Sequence, residues 1–388
     1  MLKYFIPFVL SWGLLESSKA QSFNTFYGNI VNECVYDSVY QNLIAFENLG
    51  VKEPGTAALT NTLTWLITKY QQYGYTDIVI DTFDYIGNEA YNLIVTKPGT
   101  TYPNTFVVVD GHYDSKTGTG TNDNGSGTAI ILETARLLKN INTDYAIKFI
   151  HFSMEEVGLV GSYHFVNNVA FPNGMDIRVL LNIDEVGGDI TKINNTIICE
   201  RDESNPTAAN AASYAFTDTL ATCVQLYSNL FTEISYAYAS DYMPFQAKDY
   251  VITGFFEKNQ TPHRHQATDS IAYVDVPYVH EITKATIGST MYFAVARDSA
   301  NSINELDENK FYIYPNPAND RLTVQLNSEN SLIQNLKIIN LLGETIDEYK
   351  ELNKNSTRIN TNRLKAGIYF LIIESNKEVL KQKFIISK

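Results

Sequence analysis

The apolar positions change their period twice along the chain. In Asp37–Leu49 and Thr60–Tyr73 hydrophobic residues recur three and four apart, the spacing of one buried helix face. From Asp77 onward the rhythm shortens. Strand-like runs are expected at Asp77–Phe83, Tyr91–Thr96, Thr105–Asp110, Tyr145–Phe152, Arg178–Ile183, Asn195–Cys199 and Tyr250–Phe256. Helical spacing returns between them, at Gly127–Lys139, Gly161–Val169, Thr207–Leu230 and Pro277–Ala296. Phe106–Val109 and Val179–Leu181 are apolar at every position, as strands covered on both faces must be. Strands alternating with helices predict an α/β fold: a three-layer sandwich with a mostly parallel central sheet flanked by helices.

Near residue 300 the texture shifts. Residues 301–309 are polar and read as a linker. Beyond them, residues 310–388 carry short apolar runs broken by turn residues, with no helix of useful length, which predicts a small all-β sandwich. The first twenty residues have the pattern of an export signal. Lys3 precedes an apolar run from Tyr4 to Leu15, and Ser18-Lys19-Ala20 resembles a small-x-small cleavage site before Gln21. That run is shorter than the roughly 20 residues a spanning helix needs, and no later segment qualifies as transmembrane. The expected organisation is therefore a signal peptide at 1–20, a main domain at 21–300, a linker at 301–309 and the sandwich at 310–388.

Charge narrows the partners. The formal net charge of -14 repels phosphate backbones and sets nucleic acid aside as a partner. Three scattered cysteines, Cys34, Cys199 and Cys223, do not make a thiolate zinc site. An exported chain with three cysteines permits one disulfide, and the sequence does not choose the pair.

The chemistry gathers where the buried runs end. In open parallel sheets ligands bind at the carboxyl ends of the strands. Thr105–Asp110 leads to His112 and Asp114, Tyr145–Phe152 leads to Glu155-Glu156, and Arg178–Ile183 leads to Asp184. The glycine-rich loop after His112 adds Asp123, and "TPHRHQATDS" supplies His263 or His265. Each of these alone is more often a surface loop residue or a cap. Together they form a set of carboxylates and imidazoles with no lysine near to neutralise them. Carboxylates that converge repel one another unless a cation sits between them, and this donor set suits zinc among others.

Rival chemistries lack their residues. The Gly118–Gly127 loop has neither Gly-Lys-Ser/Thr nor Gly-x-Gly-x-x-Gly, and Asp123 within it would repel a phosphate. There is no Gly-x-Ser-x-Gly nucleophile turn and no His-Glu-x-x-His. His151 falls inside an apolar strand, and His164 and His280 fall on helices; all three are expected to be satisfied core residues.

The segments "GHYDS", "GTNDNGSGTA", "SMEEVGLVGS", "LLNIDEVG" and "HQATDSI" resemble, in order, the five signature blocks of the co-catalytic dizinc aminopeptidases. That family also includes glutamate carboxypeptidases, transferrin-receptor-like domains and glutaminyl cyclases. The resemblance, over roughly Asp77 to Ala296, implies two Zn2+ ions per chain. It implies His112 and Asp184 on one zinc, Asp123 bridging both, and Glu156 and His265 on the second. His265 is preferred to His263 because it stands four residues before Asp269. Glu155 is implied as the general base and Asp114 as the partner orienting His112. The family often has Ser-Asp-His where this chain has Ser240-Asp241-Tyr242. Glu257 and Tyr238 are weaker candidates for substrate contact. The tail segments "YPNPANDRLTV", "LLGE" and "LKAGIYFLII" resemble the C-terminal sorting domain of the type IX secretion system. The implied protein is a secreted aminopeptidase acting on peptide substrates, passed through the periplasm to the outer-membrane secretion machinery. A glutaminyl cyclase on the same fold, or a non-catalytic receptor-like surface protein, are the alternatives.

Overall fold

The structure is a computed structural model that describes residues 21–298, 311–328, 330–340, 344–376 and 379–388. The expected export signal at 1–20 and linker at 301–309 lie outside the described residues. The chain divides into two compact units, with the division after Asp298.

In the first unit α1 (Thr25–Val31), α2 (Tyr36–Asn48) and α3 (Ala57–Gln72) precede β1 (Ile78–Tyr85), β2 (Asn88–Lys97) and β3 (Tyr102–His112). Next come α4 (Gly125–Leu138), the two-residue β4 (Asn142–Thr143), β5 (Tyr145–Phe152), α5 (Val160–His164) continued by a π-helical turn at Phe165–Ala170, and β6 (Asp176–Ile183). β7 (Thr196–Arg201), α6 (Asn210–Tyr227), β8 (Phe231–Tyr236), α7 (Met243–Gln246), β9 (Ile252–Glu257), α8 (Val276–Ala294) and the two-residue β10 (Ala296–Arg297) follow. Eight strands form one sheet in the order β1-β2-β5-β3-β6-β9-β7-β8. The four central strands, β5, β3, β6 and β9, run parallel; antiparallel pairs occur at β1/β2, β2/β5 and β7/β9.

The all-apolar strands do what their pattern requires. Val107 and Val109 enter one core with α2, α3, α4, α6 and α8, while Val108 enters the other with Phe165, Tyr242 and Phe245. Leu181 and Leu180 divide in the same way. Successive side chains leave opposite faces of a strand, so a sheet covered on both sides needs no polar alternation. Local signals begin the helices. Thr56 accepts from the Leu59 N–H at the start of α3, and Asp275 caps α8 just before Pro277.

Some elements differ from expectation. The helical run expected over Thr207–Leu230 stops at Tyr227, and the chain turns into edge strand β8, whose exposed residues show no clean alternation. The stretch expected as one helix at Gly161–Val169 is a short α-helix followed by a π-helical turn. All three cysteines are buried free thiols, so the permitted disulfide is not formed.

In the second unit, β11 (Phe311–Tyr314), β12 (Arg321–Leu326) and β15 (Ser356–Asn360) form one antiparallel sheet. β13 (Ile333–Ile339), β14 (Thr345–Tyr349), β16 (Gly367–Ser375) and β17 (Val379–Ile386) form the other. Leu322, Val324 and Ile359 from the first sheet share a core with Leu336, Ile338, Leu371 and Phe384 from the second, which makes a small sandwich.

Candidate active site

β3 ends in His112, which is completely buried. Its Nδ1 faces the Asp114 backbone oxygen at 3.2 Å and Asp114 Oδ1 at 3.5 Å. Donation of an Nδ1 proton there leaves the Nε2 lone pair free to bind a ligand. Nε2 lies 3.2 Å from Asp123 Oδ1 and 3.2 Å from Asp184 Oδ1, at the end of β6. On the other side of Asp123, His265 Nε2 lies 3.1 Å from Oδ2 and 2.9 Å from Glu156 Oε2. The five residues thus form two triads, His112/Asp123/Asp184 and Asp123/Glu156/His265, that share one carboxylate. Glu155 Oε2 stands 4.0 Å from His112 Nε2 and belongs to neither triad. His263 turns away: its Nδ1 meets Thr268 Oγ1 at 2.8 Å and its ring stacks on Tyr273.

The loops that carry these groups are tied from behind. The Asp114 carboxylate accepts the N–H of Glu155 at 3.2 Å and of Glu156 at 3.1 Å, one on each oxygen. Its contacts therefore fix the Glu155-Glu156 turn as well as facing His112. Asp269 accepts the N–H of Asn122 at 2.7 Å and of Asp123 at 3.1 Å. The buried Lys52 donates to the Thr119 carbonyl at 2.8 Å, and Thr119 donates to the Asp269 carbonyl at 2.6 Å. Asn124 caps α4 through the Gly127 N–H and also donates to the Ile183 carbonyl beside Asp184.

Burial and crowding set the charges. Burial first, then the neighbouring Asp123, pushes the Glu156 carboxyl up to about 9. Burial lifts Glu155 to about 8 against the pull of His112, and lifts Glu185 to about 10, with Asp123 and Asp184 adding to it. The His112 imidazole resists burial and is held well above its ordinary value by Asp184 and Glu155. Burial opposes ionisation of Asp123 too, but hydrogen bonds from His112 and His265 outweigh it and hold it below the usual carboxylate range. Glu156 Oε1 and Glu185 Oε2 are buried without any hydrogen-bond partner. Acids pushed up by burial and by one another, unpartnered oxygens and imidazoles aimed inward fit a pair of divalent ions bound by nitrogen and oxygen.

A cavity of about 380 Å³ opens beside the triads. Glu155, Glu185, Glu200, Tyr238, Met243 and Arg264 are among its lining. A cation the sequence reading did not count stands near: Arg264 Nε is 3.1 Å from Glu185 and 4.0 Å from Asp123. Lys116 also lines the cavity. Of the two weaker candidates, Tyr238 lines the cavity, whereas Glu257 is fully buried and accepts the N–H groups of Gly188 and Thr261. Glu185, Glu200 and Arg264 went unassigned from sequence. The available signal was position: Glu185 follows Asp184, Glu200 follows the expected strand ending at Cys199, and Arg264 stands between two histidines. Tyr242 is buried and accepts the N–H of Tyr238 at 3.2 Å and of Ala239 at 3.4 Å, fixing the cavity wall.

The remaining histidines divide. His151 is a core residue whose Nε2 meets the Tyr70 hydroxyl at 2.8 Å, and burial pushes it down to about 3. His164 and His280 are only half-buried, contrary to expectation; His164 meets Asp81 at 3.2 Å and His280 faces the Cys34 carbonyl.

Residues 92–290, just over half of the chain, match Peptidase family M28, and the chain belongs to that family. Residues 312–387 match the Secretion system C-terminal sorting domain. Over 147 residues the chain is 35% identical to leupeptin-inactivating enzyme 1 of Streptomyces exfoliatus, covering 37% of this chain and 33% of that protein. Over 134 residues it is 37% identical to aminopeptidase YwaD of Bacillus subtilis, covering 32% and 30%. The chain thus spans about a third of the length of these curated relatives. The fold is that of the LapA aminopeptidase of Legionella pneumophila, with a TM-score of 0.63 at 20% identity over 77% of this chain and 81% of that one.

Proposed function

We propose that the chain is a secreted zinc-dependent aminopeptidase that hydrolyses the peptide bond at the N-terminus of peptides. The observation that carries this reading is the division of Asp123, one oxygen toward His112 and the other toward His265. His112, Asp123 and Asp184 would hold one Zn2+, and Asp123, Glu156 and His265 the second. Zinc in such a site polarises the scissile carbonyl and makes water acidic enough to supply hydroxide near neutral pH. Glu155 lines the cavity and is committed to neither triad, which suits it to take the proton of the attacking water. The water oxygen bonds to the carbonyl carbon, the C–N bond breaks, and Glu155 returns the proton to the leaving amine. Asp114 holds the Glu155 backbone and faces His112, so base and ligand keep a fixed relation.

The proposed organisation is a signal at 1–20, the peptidase at 21–300, a linker at 301–309 and the sorting sandwich at 310–388. The sandwich would hand the exported chain from the periplasm to the type IX machinery of the outer membrane. Glu155→Gln tests the chemistry: both zinc ions should remain by elemental analysis while kcat on aminoacyl anilides falls about 10²–10⁴-fold. Full activity in that variant removes Glu155 from the role of base. A stoichiometry of one zinc, with cyclisation of N-terminal glutamine, would instead favour the cyclase.

A further inference from the structure

Glu200 is a cavity residue that the proposed hydrolysis does not use. It lies near the end of β7 and is 3% exposed. Its register partner on β9 is Gly254, whose partner on β6 is Asn182, paired in turn with Asp110 on β3. Residues paired directly across a sheet project to one face, so this row points to the cavity side, with Asp184 two residues after Asn182, just past the end of β6. Gly254 opens the row: a Cβ there would stand 3.3 Å from Glu200 Oε2 and 3.4 Å from the Tyr242 ring. The Glu200 carboxylate therefore lies over β9 and reaches the cavity wall.

Among the described residues no cation acts on it. Arg264 is engaged by Glu185 at 3.1 Å, and Lys116 is exposed. The groups that act on Glu200 are Tyr242 and Asp184, neither of them cationic. Burial pushes its carboxyl up to about 8, partly offset by Tyr242. The Tyr242 oxygen already accepts two backbone N–H groups, which leaves its own proton for Glu200. Beside its charged groups the same cavity is lined by Leu159, Tyr163, Tyr238, Met243 and Phe256, which supply apolar surface.

We propose that Glu200 reads the side chain of the substrate's first residue and selects long stems with a cationic tip, lysine and arginine. Those apolar side chains take the methylene stem, and the carboxylate at the end meets the ammonium or guanidinium. This rests on the aminopeptidase reading and deepens it.

The test uses the full zinc-loaded chain with lysyl, arginyl, norleucyl and leucyl anilides. Norleucine keeps lysine's four-carbon stem and lacks only the ammonium. In the unaltered protein kcat/KM for lysyl should exceed that for norleucyl by about 10- to 100-fold, the scale of one charge-assisted hydrogen bond. In Glu200→Gln that ratio should collapse toward unity. Calorimetric titration with free L-lysine and L-norleucine, which involves no turnover, should show the same ratio and the same collapse. Equal rates in the unaltered protein overturn the proposal even if the variant does not fold. So does a ratio preserved in Glu200→Gln, including the case where every substrate loses equally. Failure to hydrolyse any of the four overturns the aminopeptidase reading and this one with it; hydrolysis without preference overturns this one alone.

Discussion

Asp123 offers one carboxylate oxygen to each imidazole, and that symmetry has a consequence at a single atom. Asn has the same shape but only one acceptor oxygen; its amide nitrogen donates and repels a cation. Asp123→Asn should therefore fail to hold two ions. Elemental analysis after dialysis should give fewer than two zinc per chain, and activity should fall with it. Two retained ions would remove Asp123 as the shared ligand. His112 after Thr105–Asp110 and Asp184 after Ile183 drew notice because each follows an apolar run, whereas Asp123 and His265 lie in loops and were singled out through the resemblance of their segments. Arg264 was not, because a charged residue between two histidines in a loop has no periodicity to place it. Only the fold brings its guanidinium to Glu185. Glu200 was hidden for another reason: its reach into the cavity depends on Gly254, a residue on a different strand.

The elements meet the site through close backbone approach. Gly127 lies in the first turn of α4, where a Cβ would stand 2.3 Å from the Ile183 carbonyl oxygen and 2.5 Å from Asn124 Oδ1. Two effects compete in Gly127→Ala. Helix propensity favours alanine by about 1 kcal/mol. Overpacking against a backbone oxygen costs about 1–3 kcal/mol, and backbone cannot rotate away as a flexible side chain can. The clash should win. Denaturant unfolding should show a net loss of stability, and a midpoint equal to or above that of the unaltered chain would contradict the close fit of α4 to the end of β6. Most strands and helices were readable from apolar period, since both cores draw on uninterrupted runs such as Val107–Val109. β8 was not, because an edge strand with exposed Phe231, Ile234 and Tyr236 obeys no inward–outward alternation. The antiparallel entries at β2 and β7 are set by tertiary pairing, which period alone does not carry.

At the scale of the whole molecule the two units have separate cores, and all five proposed ligands belong to the first. The sequence changes texture near residue 300, where a polar stretch is followed by short apolar runs broken by turn residues with no helical spacing. Removing the ions should act on one unit only. Without them the first unit keeps acids such as Glu156 and Glu185 buried with unpartnered oxygens. A ligand at about 100 times its Kd stabilises the folded state by about 2.7 kcal/mol. For a unit of this size that corresponds to a shift on the order of 5–10 °C in Tm. Scanning calorimetry with and without a chelator should therefore show one transition moving down by that amount and a second, from the sandwich, holding its place. If both transitions moved together, or neither did, the two triads would not be the place where divalent ions stabilise this protein.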